Sequence, residues 1–155
     1  MKTFDLIKQY KIFEKDINKR VLKVLSSGSY ILGQNVKSFE NNARKYLATR
    51  YTVSCNSGTD ALVMSLRALN IGSNDQVITT PFTYFATSEA ISLVGAIPIF
   101  ADINPHTFNI NPKKIEKLIS KRTKAILSVN LFGQACELDK VSRIAKEYNL
   151  SHIED

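Results

Sequence analysis

Two hydrophobic patterns divide this chain. Up to residue 50 the apolar positions recur at helical spacing. Ile12, Phe13, Ile17, Val21, Val24 and Leu25 form one stripe, and Val36, Phe39, Ala43, Tyr46 and Leu47 form another. Recurrence every three to four residues predicts amphipathic helices over 12–25 and about 35–47. Residues 3–10 read as irregular or weakly extended. Gly28 closes the first helix as a left-handed cap, and 29–33 is a short loop. From residue 51 the pattern changes to alternation of short apolar runs with helical stripes. Strands are predicted at 51–55, 76–80, 96–101, 124–130 and 150–154, and helices at 59–69, 84–94, 112–120 and 138–148. Asn111-Pro112 supplies an N-cap and a proline at the first helical position. The run at 124–130 is nearly all apolar, as in a strand buried on both faces. The whole predicts an α/β fold with a mainly parallel sheet between helices. It divides into a helical segment, 1–50, and the first part of an α/β domain, 51–155.

Charge sharpens that division. The chain has 155 residues and a formal net charge of +7. Residues 1–50 hold 11 Lys/Arg against 4 Asp/Glu, and residues 51–155 hold 10 of each, so the excess sits in the helical segment. Those basic residues fall on outward helix positions without aromatic interleaving, which predicts a solvated face and no nucleic-acid partner. No apolar run reaches the roughly 20 residues of a membrane helix, and the N-terminus has no apolar signal core. Cys55 and Cys136 lack CxxC spacing and read as reduced thiols. His106 and His152 have no ligand partners at metal spacing. The expectation is a cytoplasmic protein with no membrane span and no metal site. The chain stops at Ile153-Glu154-Asp155, on a strand that nothing covers, which reads as part of a larger domain.

The stretch with most chemical content is Asn56-Ser57-Gly58-Thr59-Asp60-Ala61-Leu62. Gly58 permits a tight turn and brings no side chain against a ligand. Thr59 and Asp60 open a helix whose first N–H groups lack intrahelical partners, and these favour an anion such as phosphate. A capped turn without ligand reads equally well. In a parallel sheet, ligands gather at the carboxyl ends of the strands. The loops leaving those ends are 56–60, 81–84 and 131–137, together with whatever follows Asp155. They offer the cradle, an aromatic group of Phe82, Tyr84 and Phe85, and the carboxylate of Asp155. Each has a structural alternative, the aromatics as core and Asp155 as a cap. Combined, they suit a phosphorylated, planar, protonated heterocycle, which is the requirement for pyridoxal 5′-phosphate (PLP).

In order, Gly28-x-Tyr30-Ile31-x-Gly33, Asn56 to Leu62, Pro81-Phe82-Thr83-Tyr84-x-Ala86-Thr87, Leu131-Phe132-Gly133-Gln134 and Ile153-Glu154-Asp155 resemble the DegT/DnrJ/EryC1/StrS family. The resemblance spans essentially the whole chain. It implies part of the large domain of a fold type I PLP-dependent transferase. The expected reaction is transamination of a keto group on a nucleotide-linked sugar, of the 3-keto UDP or dTDP kind, with glutamate as amino donor. By the same resemblance Gly58, Thr59 and Asp60 hold the cofactor phosphate, mainly through backbone N–H. Tyr84 stacks on the pyridine ring and Asp155 pairs with its nitrogen. Gly28 and Tyr30 fall near the substrate, completing the site of a neighbouring subunit in a homodimer. The family's Ala-x-Gln after the aspartate, its Schiff-base lysine and its small C-terminal domain lie beyond Asp155, so this chain alone is expected to be inactive. Alternatives are a pyridoxamine-phosphate-dependent sugar dehydratase, with histidine at the lysine position, and a non-catalytic cofactor-binding or regulatory remnant. Neither GxGxxG nor GxxxxGK[ST] occurs, which sets aside Rossmann and P-loop readings.

Overall fold

The computed structural model describes residues 5–155. They form two compact units, one ending at Ser54 and the other spanning Cys55–Asp155. The first unit holds two helices, α1 (Leu6–Ser27) and α2 (Gln34–Tyr46). Helix α1 begins earlier than expected. Asp5 caps it by accepting a hydrogen bond from the Lys8 N–H, so Leu6 to Tyr10 are helical rather than extended. The part of that expectation on residues 3 and 4 lies outside the described residues. Gly28 ends α1 in the left-handed region, φ 67°, as expected. Neither helix buries a residue, and Ile12, Phe13, Val21 and Leu25 are exposed along α1.

The second unit is an α/β sandwich. Helix α3 (Gly58–Ala68) leads to strand β1 (Gln76–Thr79), then α4 (Ala86–Leu93), β2 (Ile97–Phe100), β3 (Thr123–Ser128), α5 (Leu138–Glu147) and β4 (Ser151–Glu154). The four strands form one sheet in the order β2-β1-β3-β4, and every pairing is parallel. Alternation of side chains along the strands divides the core in two. On one face, Val77, Ala125, Leu127 and Ile153 pack with Leu62, Leu66, Ala90 and Ile91 of α3 and α4. On the other, Ile78 and Ile126 pack with Val141, Ile144 and Ala145 of α5. Strand β3 is buried at every position but Lys124, which matches its apolar sequence.

Three expectations need correction. Residues 51–55 are not a strand, because a strand needs a hydrogen-bonded partner and none of the four described strands pairs with them. Instead Glu40 of α2 holds the end of that run, accepting from the Ser54 N–H at 2.9 Å and from its hydroxyl at 2.7 Å. The helix expected at 112–120 is two 3₁₀ turns, Pro112–Lys114 and Glu116–Leu118. Asn111 caps the first as predicted, but Ile119 turns extended before a full α-helical turn can build. Residues 84 and 85 lie outside the helix at 84–94, which starts at Ala86, while Gly95 closes its far end at φ 85°.

Candidate functional site

All strands run one way, so their carboxyl ends lie on one edge. Helix α3 ends shortly before β1 begins, which puts its C-terminus at the amino edge and its N-terminus near the carboxyl edge. At that N-terminus Ser57 is the cap. Its hydroxyl oxygen accepts from the Asp60 N–H at 3.1 Å, and the hydroxyl lies 2.7 Å from the Asp60 carboxylate. The Ala61 N–H donates to the Ser57 carbonyl at 3.1 Å. Asp60 therefore has its own N–H engaged, and the donors left open are the N–H groups of Gly58 and Thr59, among the described residues. Gly58 is not in the left-handed region, and a Cβ built on it meets nothing within 4 Å. The tight-turn reason for glycine here is thus corrected. Neither backbone conformation nor neighbouring protein atoms demand it, and what it preserves is open space over two free donors. That is a cradle a side chain would intrude upon, and it fits a phosphate.

Asp155 extends the ladder beyond β4. Its N–H donates to the Ser128 carbonyl at 2.9 Å, and its carbonyl accepts from the Asn130 N–H at 2.8 Å. Alternation sends Ile153 and Asp155 to the α3/α4 face and His152 and Glu154 to the α5 face. Burial pushes the Asp155 carboxyl above the ordinary carboxylate range, while the Thr87 hydroxyl beside it pulls the other way. Asp155 is nonetheless exposed at the end of the ladder, where its carboxylate can accept from a cation or a ring N–H⁺. The aromatic group does not form a cluster. Phe82 pairs with Phe108, ring centroids 5.6 Å apart, whereas Tyr84 and Phe85 are exposed. Tyr84 is free to cover a ligand, and its carbonyl accepts from the Thr87 N–H at 3.2 Å. The Thr87 hydroxyl lies 3.2 Å from that of Thr83.

In the first unit the Gly28 N–H and the Tyr30 hydroxyl both donate to the Leu25 carbonyl, at 3.5 and 3.1 Å. Tyr30 borders an open hollow lined also by Lys23, Ser29, Gln34 and Asn35. Gly33 is sterically required, since a Cβ there would lie 2.8 Å from the Ser29 carbonyl oxygen.

Several residues that shape the carboxyl edge carry no sequence signal. Buried Asn109 donates to the Gln134 carbonyl at 2.9 Å and accepts from the Leu131 N–H at 3.3 Å, fixing the loop in which Phe132 adopts φ 58°. Asn130 accepts from the Cys136 N–H at 2.8 Å and donates to Glu154 at 2.7 Å. The His152 ring spans Ser128 and Ser142, at 2.8 and 2.9 Å. Burial lowers its pKa, with Glu154 opposing. Among the described residues no group of acidic, histidine or cysteine side chains is arranged to hold a metal ion.

An anion cradle at a helix N-terminus, an exposed tyrosine and a strand-end carboxylate thus lie on the loops and ends of an α/β unit with a parallel sheet. Residues 11–155 match the DegT/DnrJ/EryC1/StrS aminotransferase family, and the chain belongs to it. It is 41% identical over 151 residues to the UDP-2-acetamido-2-deoxy-3-oxo-D-glucuronate aminotransferase of Pseudomonas aeruginosa, covering 97% of this chain and 42% of that protein. Its fold superposes on a DegT DnrJ EryC1 StrS aminotransferase from Brucella abortus with a TM-score of 0.96 and 38% identity, covering 100% of this chain and 43% of the other. It also superposes on NtdA from Bacillus subtilis, a structure with bound cofactor PMP, with a TM-score of 0.88 and 38% identity over 90% of this chain and 32% of that one. The chain therefore spans less than half the length of these relatives.

Proposed function

We propose that this chain supplies the phosphate, ring and ring-nitrogen contacts for PLP in a longer aminotransferase acting on the keto group of a nucleotide-linked sugar. The observation that carries the reading is the carboxyl edge itself. Two open N–H donors at α3 sit under an unfilled glycine, and Asp155 stands exposed at the end of the β4 ladder on the α4 face. In this reading Gly58 and Thr59 bind the phosphate by backbone N–H, with Asp60 acting as the capped first-turn residue behind them. Tyr84 covers the ring. Asp155 accepts from the ring nitrogen and keeps its proton in place. The bound cofactor would act as an electron sink for the carbon that gains or loses the amine. The family membership and the 3-oxo sugar nucleotide named for the Pseudomonas relative support a 3-keto nucleotide sugar as acceptor, and the name of a Bacillus subtilis relative, 3-oxo-glucose-6-phosphate:glutamate aminotransferase, supports glutamate as donor.

The family resemblance supports a homodimer with shared sites, in which Gly28 and Tyr30 face the substrate of the neighbouring copy. Two free thiols, and no helix among the described residues long and apolar enough to cross a membrane, support the cytoplasm as location. The test is the intact mass of the full-length product after loading with PLP and borohydride reduction. The expected result is a gain of one reduced cofactor on a lysine downstream of Asp155, and amine transfer from glutamate to a UDP-linked 3-keto sugar. Bound cofactor without covalent gain would replace the aminotransferase by a dehydratase, and no bound cofactor would overturn both.

A further inference from the structure

Asn130 stands where β3, β4 and the loop 131–137 meet. Its N–H donates to the Asp155 carbonyl at 2.8 Å, and the Asp155 N–H donates to the Ser128 carbonyl at 2.9 Å. These bonds extend the parallel ladder past Glu154 and set Asp155 beside Val129. The Asn130 side chain reaches two further groups. Its Oδ1 accepts from the N–H of buried Cys136 at 2.8 Å, and its Nδ2 donates to Glu154 Oε1 at 2.7 Å. A backbone N–H needs an acceptor and a carboxylate needs a donor, so the two partners fix which way the amide points. The Cys136 thiol in turn donates to the Val129 carbonyl at 2.9 Å. The loop is therefore closed on β3 and tied to β4 through one side chain. The last rungs of a ladder fray first. Glu154 is exposed, so without the Asn130 amide its carboxylate would turn to water.

We propose that Asn130 is a positioning residue for the reaction, holding Glu154 and Asp155 together against β3 and so fixing the backbone from which the Asp155 carboxylate meets the ring nitrogen. This rests on the PLP reading above. Glu154 and Asp155 are successive residues, and their side chains leave opposite faces of the sheet. A grip on the Glu154 side chain together with the Asp155 carbonyl leaves the peptide between them little freedom to turn. The direction of the Asp155 side chain is set with it. In this role Asn130 acts through Asp155. The other ionisable groups near the grip are engaged elsewhere. His152 spans Ser128 and Ser142, and Glu137 pairs with Lys140.

The test uses the full-length protein and pyridoxamine 5′-phosphate labelled with nitrogen-15 in the ring, a probe that forms no covalent link. Nitrogen NMR across a pH series reads whether the bound ring nitrogen carries its proton, and calorimetry gives the affinity. In the unaltered protein the proton is kept to higher pH than on the free probe, because Asp155 accepts from it. Asn130→Asp sets a carboxylate against that of Glu154 and breaks the grip. The ring nitrogen should then lose its proton about one pH unit earlier, with binding roughly tenfold weaker at neutral pH. An added negative charge by itself would do the reverse and hold the proton more tightly. Asn130→Asp combined with Glu154→Gln reverses the polarity of the bond. The glutamine NH₂ donates to the aspartate, whose other oxygen still accepts from Cys136, and both readouts should return to those of the unaltered protein. Glu154→Gln alone still accepts from Asn130 and should change neither. A merely structural role for Asn130 would lower stability and leave the ring proton unmoved in Asn130→Asp, and that result overturns the proposal. So does a combined variant that restores nothing. If Asn130→Asp does not fold, Glu154→Ala decides, since it frees β4 and leaves Cys136 held, an unmoved ring proton being the adverse outcome. Failure of the unaltered protein to bind the probe at any pH would fell the PLP reading together with this one, whereas an unmoved proton in a variant that binds fells this one alone.

Discussion

At the level of single residues, Gly58 separates what a fold needs from what a ligand needs. An added Cβ meets no protein atom and the backbone is already helical. Gly58→Ala should therefore leave stability unchanged or raise it by up to about 0.5–1 kcal/mol, since alanine is the better helix residue. The same methyl would stand over the open donors, and cofactor affinity should fall at least tenfold. Thermal melting and a pyridoxamine 5′-phosphate titration on one preparation check both halves. Asp155 gives a signed pH prediction. Its folded pKa is raised, so the folded state holds a proton that the unfolded state has already lost. Stability without cofactor should fall as pH rises from the ordinary carboxylate range through the raised value, and Asp155→Asn should abolish that slope in urea denaturation while weakening cofactor binding. His152 acts in the opposite sense. Its folded pKa is lowered from 6.5, so the unfolded state protonates first and stability is lost as pH falls below that value. His152→Gln should flatten that acid limb. The sequence made Asp155 visible because it ends a strand. It showed that His152 has no metal-spaced partners but not what its ring holds, because Ser128 and Ser142 come from two other elements, β3 and α5.

At the level of elements, periodicity carried the helices and buried strands, and failed where an element depends on something other than its own pattern. Residues 51–55 have strand composition, but a strand exists only with a partner, and Glu40 holds Ser54 instead. Pro112 and Asn111 announced a helix start correctly, yet nothing local revealed that it would remain 3₁₀. The loop at 131–137 is the clearest case. Its shape at the carboxyl edge is set by buried Asn109, 22 residues before Leu131, and by Asn130. Asn109→Ala should leave the Leu131 N–H and Gln134 carbonyl without their partner. The expected cost is about 2–3 kcal/mol in chemical denaturation. Amide exchange should quicken at Leu131 to Gln134 before it does in β3, where the ladder is intact.

At the level of the whole molecule, the two hydrophobic patterns correspond to two units of different character. The α/β unit has core on both faces of its sheet. The helical unit buries no residue of either helix, although a clear apolar stripe predicted α1. Periodicity reads amphipathicity but not what covers it. An exposed run of Ile12, Phe13, Ile17, Val21 and Leu25 is larger than the scattered apolar residues of an ordinary surface and marks a contact face. The 17.4 kDa chain prepared alone should therefore self-associate in a concentration-dependent way, which sedimentation velocity would reveal as mass above the monomer. Phe13→Glu with Val21→Lys, both exposed and on that stripe, should return it to the monomer without altering the circular dichroism of the helices. Persistence of the larger species would instead point to the open sheet edges, β2 and β4, whose unpaired backbone groups are the other route to association. A lysine at Ile97 in β2 would then be the substitution that restores the monomer, and comparison of the two variants assigns the contact to one unit or the other.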